Sequence, residues 1–197
     1  MTSFYHKPVL LAEVLHYLAP QKGEVFCDAT LGGGGHSEAI LHACAPTGRI
    51  IGIDQDDDAL KAAGSRLHGM GERFIGLHGQ FADLENLLEQ AGRRRVNGIL
   101  ADIGVSSHQL DTKERGFSFR EPGPIDMRMD ASQGKSALQW IAELSESELA
   151  QVIFTYGEEK FARRIAARLK LAFEQGERVT DLQVKEGFPK RQTGTTV

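Results

Sequence analysis

Nowhere does the sequence approach the roughly 18 to 20 consecutive apolar residues that a bilayer-spanning helix needs, so no transmembrane helix and no membrane partner are predicted. The start, MTSFYHKPVLLAEVLHYLAP, lacks the charged-then-apolar pattern of a secretory signal, because Glu13 and His16 interrupt its apolar residues. Cysteine is scarce. Cys27 and Cys44 show neither a CxxC spacing nor a disulfide framework, which predicts a reducing, cytoplasmic setting and two core residues rather than reactive ones. Positive charge is not in excess either: against 27 Asp and Glu stand 23 Lys and Arg, a formal net charge of −4, whereas a free-standing nucleic-acid binder is usually basic. Residues 1–109 carry that whole surplus, with 9 basic and 13 acidic side chains, while residues 110–197 balance 14 against 14. Any basic surface must therefore come from local clustering. The seven histidines show no metal-ligand spacing, and no metal site is expected.

What is there reads as an ordinary globular composition, 41% hydrophobic and 25% charged. The first hundred residues alternate between two periods. Pro8 opens a helical run with Leu11, Val14, Leu15 and Leu18 on one face, and Pro20 closes it. Strand patterns at 24–29, 49–54, 73–78 and 97–104 alternate with helical patterns at 36–44, 56–67 and 81–92. Strand and helix in turn, with short connections, predict parallel βαβ units in an open α/β sheet. After Gly104 the rhythm changes to a polar stretch, 105–135, without clean periodicity. Helical runs follow at 137–144, from Ser145 with Glu148 as a capping box, and at 158–173 with Phe161, Ile165 and Leu169 on one face. The predicted organisation is a ligand-binding portion at 1–104, a loop plus helical insertion at 105–182, and a divergent tail at 183–197.

Between the first strand and its helix lies DATLGGGGHS, residues 28–37. Glycines at such a turn let backbone approach a ligand closely, beside the N-terminus of a helix. Asp54 ends the second strand, about 20 residues on, where an acid holds ribose hydroxyls in nucleotide-binding sheets. A nucleoside triphosphate is disfavoured because Gly-His-Ser replaces the Gly-Lys-Ser/Thr of a P-loop. A dinucleotide is disfavoured because Asp28 would repel a pyrophosphate. The same acid suits a ligand with an amino group and no phosphate, such as S-adenosylmethionine. Phe81, after the third strand, suits either an adenine contact or the core. Asp102 stands at the end of the fourth strand pattern, where a carboxylate is costly without a partner, and a site role is predicted for it.

Taken together, HKPVLLAEVL, DATLGGGGHS, IGIDQD, GQF, DIGVSSHQLD, RGFSF, GPIDMRMD and TYGEEKFARRIA resemble the bacterial 16S ribosomal RNA cytosine-N4 methyltransferases, the small-subunit methyltransferase H or MraW-like family. The pieces run in that family's order from residue 6 to about 168, with His108 where the family usually has proline. The resemblance implies a Rossmann-like S-adenosylmethionine-dependent methyltransferase sheet with an inserted helical substrate domain. It implies methyl transfer to the N4 amino group of a decoding-centre cytidine in 16S rRNA of the small subunit. It also implies cofactor contacts from Gly34, Gly35, His36, Asp54, Phe81, Asp102 and Gln109. Asp102 is the expected catalytic carboxylate, because accepting a hydrogen bond from the amino group would help localise its lone pair.

Arg115, Arg120 and Arg128, interleaved with Phe117 and Phe119, suit a single-stranded RNA target, and Lys160, Arg164 and Arg168 form a stripe at helical spacing. Resemblance fades after Thr180-Asp181-Leu182, and the tail QVKEGFPKRQTGTTV lacks the family's later segment. A C-terminally truncated or altered member is therefore expected, with later sheet strands missing, the fourth strand left as an exposed edge, reduced stability and reduced activity. The rival expectation is a catalytically inactive RNA- or ribosome-binding remnant. A nicotinamide-dependent oxidoreductase is opposed by Asp28 and by the downstream motifs.

Overall fold

The computed structural model describes residues 8–118 and 123–176. His6, Lys7, Phe119, Arg120, the Thr180–Leu182 segment and the tail lie outside the described residues. The chain divides into two compact units, residues 1–108 and 109–197.

The first unit is a parallel four-stranded sheet with helices on both faces. Its elements are α1 (Leu11–Leu18), β1 (Val25–Asp28), α2 (Gly35–Ala43), β2 (Arg49–Asp54), α3 (Asp57–Leu67), β3 (Phe74–His78), α4 (Leu84–Gln90) and β4 (Gly98–Leu100), followed by a first turn of helix, α5 (Ser107–Asp111), that straddles the unit boundary. Strand order is β3-β2-β1-β4. The chain builds outward from β1 to β3, then returns to place β4 on the other side of β1, and this reversal is the crevice where open α/β sheets take ligands. Strand alternation sends Phe26 and Ile50 to one face, packed with Ile40 and Leu41 of α2, Leu67 of α3 and the apolar stripe of α1. Cys27, Ile51 and Ile53 point to the other face, against Leu87 and Leu88 of α4. Both cysteines are fully buried, and desolvation followed by the neighbouring Asp28 carboxylate pushes the Cys27 thiol up to about 12. The core assignment of Cys27 therefore holds against a reactive one.

Three boundaries in this unit differ from the sequence pattern. The first helix starts at Leu11 rather than Pro8, because Leu10 turns into the left-handed region (φ 52°) and the Val9 carbonyl is bound by His36 instead of a helical amide. The run at 81–92 opens with a 3-10 turn, Phe81–Asp83, before α4. The fourth strand stops at Leu100, since the Asp102 amide is captured by the Thr30 hydroxyl at 2.7 Å rather than by a neighbouring strand.

The second unit contains α6 (Ala137–Glu143), α7 (Glu146–Gly157) and α8 (Ala162–Glu174). Both α6 and α7 open on reciprocal capping boxes, Ser136 with Gln139 and the predicted Ser145 with Glu148. The last helix starts at Ala162 rather than 158, and its face is only partly the predicted one: Leu169 packs on the cluster of Ile125, Ile141, Leu149, Ala150 and Ala166, but the buried residues of the helix are Ala162, Ala166 and Ala172, and Phe161 and Ile165 are partly buried. Small side chains win the inside because they let helix backbones approach closely.

Candidate functional site

All four strands are parallel, so the segments leaving β1, β2, β3 and β4 share one rim of the sheet. The loop after β1 is stitched to both neighbours. Ala29 N–H donates to the Leu100 carbonyl at 2.8 Å and Leu31 N–H to the Ile53 carbonyl at 2.9 Å. Gly32 N–H donates to Asp54 Oδ2 at 2.8 Å, and Asp56 N–H donates to Asp54 Oδ1 at 2.9 Å. The end of β2 thus presents a carboxylate already oriented by two amides. Burial raises the Asp54 carboxyl above its ordinary range, and those amide hydrogen bonds partly offset the rise.

Asp28 behaves otherwise than its sequence position suggested. It is 1% exposed, accepting from the Ser37 hydroxyl at 2.7 Å and the Thr30 amide at 3.3 Å, and desolvation raises its pKa. Its carboxyl is consumed in holding the glycine loop against α2, and it is not presented to an amino group.

The glycines divide by cause. Gly34 sits in the left-handed region (φ 76°) as the N-cap of α2, and a Cβ there would lie 3.1 Å from Ala63 Cβ. A Cβ on Gly35 would lie 2.9 Å from both Arg66 and Pro8. Packing alone therefore demands these two. Gly32 also has positive φ (50°), but the nearest atom to its would-be Cβ is the Thr30 carbonyl oxygen at 4.0 Å, so its outer face is open to a ligand.

His36, at the start of α2, donates from Nε2 to the Val9 carbonyl at 2.8 Å and pins the segment before α1. Phe81 follows β3 and is 48% exposed, which excludes the core alternative and leaves its ring at the rim. Asp102 is exposed beyond the end of β4, so the expected cost of a carboxylate inside an apolar strand does not arise. Its amide is held by Thr30, and among the described residues nothing donates to its carboxylate. Gln109 is buried within α5 and belongs to the second unit by the division of the chain. The rim therefore assembles Gly34, Gly35, His36, Asp54, Phe81 and Asp102, and Gln109 is described with the other unit.

Thr30 and Ser37 were not legible as site residues. Thr30 couples the loops after β1 and β4, and Ser37 satisfies Asp28. The spacing of Ser37 one residue after the glycine-histidine step was the available signal.

In the second unit, two of the arginines expected to meet phosphate are already engaged. Arg115 is 8% exposed and donates from one guanidinium nitrogen to the carbonyls of Arg128 and Met129, at 3.0 and 2.8 Å. Arg128 makes a two-pronged ion pair with Asp126, 2.8 Å from Nε and 2.7 Å from Nη2, which holds the Asp126 carboxyl below its usual range. Gly116 (φ 71°) lets this loop close, because a Cβ there would collide with the Pro124 carbonyl. These arginines are engaged in building the loop.

Among the described residues, no helix is long and apolar enough to cross a membrane. The chain is 50% identical over 186 residues to the ribosomal RNA small subunit methyltransferase H of Trichlorobacter lovleyi, covering 94% of this chain and 59% of that protein. With the protein of the same name from Syntrophotalea carbinolica it shares 51% identity over 167 residues, 85% of this chain and 53% of that one. It thus spans about three-fifths or less of the length of these relatives. Among solved structures, the C-terminal domain of precorrin-6Y C5,15-methyltransferase from Rhodobacter capsulatus is similar at TM-score 0.42 and 22% identity, over 54% of this chain and 58% of that one. Residues 3–191 match the MraW methylase family, and the chain belongs to that family.

Proposed function

We propose that this protein uses S-adenosylmethionine to methylate ribosomal RNA of the small subunit, at the N4 amino group of a decoding-centre cytidine in 16S rRNA. The observation that carries the reading is the end of β2, where Asp54 is oriented by the Gly32 and Asp56 amides beside an open glycine face. Its support is membership of the MraW methylase family and the names of the relatives. The donor set fits the cofactor. Carboxylates at Asp54 and Asp102, with no lysine after the glycines, disfavour a polyphosphate and favour a ligand bearing ammonium and sulfonium charge plus ribose hydroxyls.

When bound, S-adenosylmethionine supplies an electrophilic methyl group. Asp54 accepts hydrogen bonds from the ribose hydroxyls, and the Phe81 ring packs against adenine. Gly34, Gly35 and His36 border the amino-acid moiety, and Gln109 completes the cofactor contacts. Asp102 accepts a hydrogen bond from the cytosine amino group, which keeps the nitrogen lone pair available for in-line attack. Residues 105–182 form the substrate-recognition part in this reading, and the enzyme works in the cytoplasm, where the small subunit is.

Calorimetric titration of the chain with S-adenosylmethionine is the test, followed by methyl transfer to unmodified small subunits. We expect Asp54→Ala to weaken cofactor affinity by about 2 kcal/mol, a factor of about 30, from lost charge-assisted hydrogen bonds. Asp102→Asn is expected to keep affinity and lose turnover. Equal losses in both would make Asp102 a cofactor ligand only. A folded chain that binds no cofactor would overturn the proposal. Cofactor binding without turnover would favour the inactive RNA-binding reading.

A further inference from the structure

Many surface cations in the described residues are held by a neighbour. Lys61 pairs with Asp58, Arg94 with Glu89 and Lys135 with Glu143, while Lys170 donates to the carbonyls of Ile141 and Ala142. The start of α8 is different. Lys160, Arg163 and Arg164 are exposed, and among the described residues none of them pairs with a carboxylate, although Glu158 and Glu159 immediately precede them. The Glu159 carboxylate accepts from the Phe161 amide instead, at 2.8 Å. Phe161 in turn holds two of the cations: Lys160 Nζ lies 5.5 Å and the Arg164 guanidinium 5.6 Å from its ring centre. Their heads are thus pre-positioned without being neutralised.

Lys160 lies in the turn that leads into α8, and at about 100° per residue Arg164 falls opposite buried Ala162 and Ala166, with Arg163 on the flank between. The result is a short basic ridge at the start of α8. Arg115 and Arg128 of the same unit are already bound to carbonyls and to Asp126, whereas Lys160, Arg163 and Arg164 surround a partly buried aromatic with no carboxylate partner among the described residues. Tyr156, four residues before Lys160 in the last turn of α7, is 84% exposed and adds a face on which a base can stack.

We propose that Lys160, Arg163 and Arg164, braced by Phe161, form the surface with which the helical unit grips the phosphates of its RNA substrate. This rests on the RNA-methylation reading above. The ridge supplies affinity and register rather than chemistry, and it carries no base specificity of its own.

The test measures binding of the chain to unmodified small ribosomal subunits across a salt series. The ridge variant carries Lys160→Gln, Arg163→Gln and Arg164→Gln together. A charge-matched control carries Arg93→Gln, Arg94→Gln and Arg95→Gln, in the turn before β4 at the opposite end of the sheet from the candidate site. Neutralising three phosphate contacts is expected to lower affinity by about tenfold or more at low salt, and to flatten the slope of log K against log salt by about 2. The control moves neither quantity comparably. Affinity for S-adenosylmethionine stays that of the unsubstituted chain, which also reports that the ridge variant has folded. Arg163→Lys with Arg164→Lys, which keeps the charges, retains affinity and slope.

A ridge variant that binds subunits like the unsubstituted chain, or that loses no more than the control, overturns the ridge and leaves the methyltransferase reading standing. An acidic protein partner would give that same result. If the unsubstituted chain binds S-adenosylmethionine but not subunits, the RNA reading fails, and the ridge with it.

Discussion

Asp28 opens the glycine loop and Asp54, at the end of β2, accepts from its Gly32 amide, and burial raises both carboxyls. A folded chain that holds these protons more tightly than the unfolded chain binds more protons between the ordinary carboxylate range, near about pH 4, and the raised folded values. Stability therefore falls as pH rises through that window, and the penalty is complete above it. Asp28→Asn keeps an acceptor for the Ser37 hydroxyl and removes one titration. We expect its urea midpoint to decline less steeply with pH over that window than that of the unsubstituted chain, and an unchanged slope would refute the assignment. The residue string made both aspartates candidate ligand contacts, since each closes a strand. The three-dimensional loop makes Asp28 an internal brace and leaves Asp54 less deeply buried, held by the Gly32 and Asp56 amides.

Some element boundaries were legible from a local side-chain signal, although the helix start marked by Pro8 was not. Asp56 caps α3 by accepting from the Asp58 amide at 3.0 Å, and Ser145 caps α7 with Glu148, as short-range side-chain chemistry dictates. The face of α8 was not legible in the same way. Periodicity marks the large residues Phe161, Ile165 and Leu169, yet close approach of α7 and α6 buries the alanines one position along. Hydropathy reads which residues avoid water, whereas packing chooses which residues fit. Ala166→Leu is accordingly expected to destabilise the chain by about 1 to 3 kcal/mol through overpacking, read as a lower denaturant midpoint. Ile165→Ala, at a partly exposed position, should cost less. If Ala166→Leu is neutral, the described packing of α8 is wrong.

Across the whole molecule, β4 pairs with β1 on one side and, among the described residues, has no strand on the other. Ile99 is 48% exposed, Ile103 73% and Val105 42%, an apolar margin along and beyond this strand. Such edges template association with other chains. Ile99→Lys should reduce concentration-dependent self-association, measured by light scattering of the 197-residue chain, without altering cofactor affinity. Equal scattering from both proteins would show that the edge is not what associates.

The alternation of strand and helix, the glycine turn and the strand-end acids can all be read along the chain, because each depends on side-chain period or on backbone chemistry within a few residues. The same holds for the motifs that mark the MraW methylase family. Which carboxylate is buried as a brace, which glycines serve packing, and which arginines are already bound were decided only by the fold. Asp28 met Ser37, Gly34 met Ala63 and Arg128 met Asp126. Hydrogen-bond partners and burial are properties of distances in space, and those distances exist only once the elements have packed.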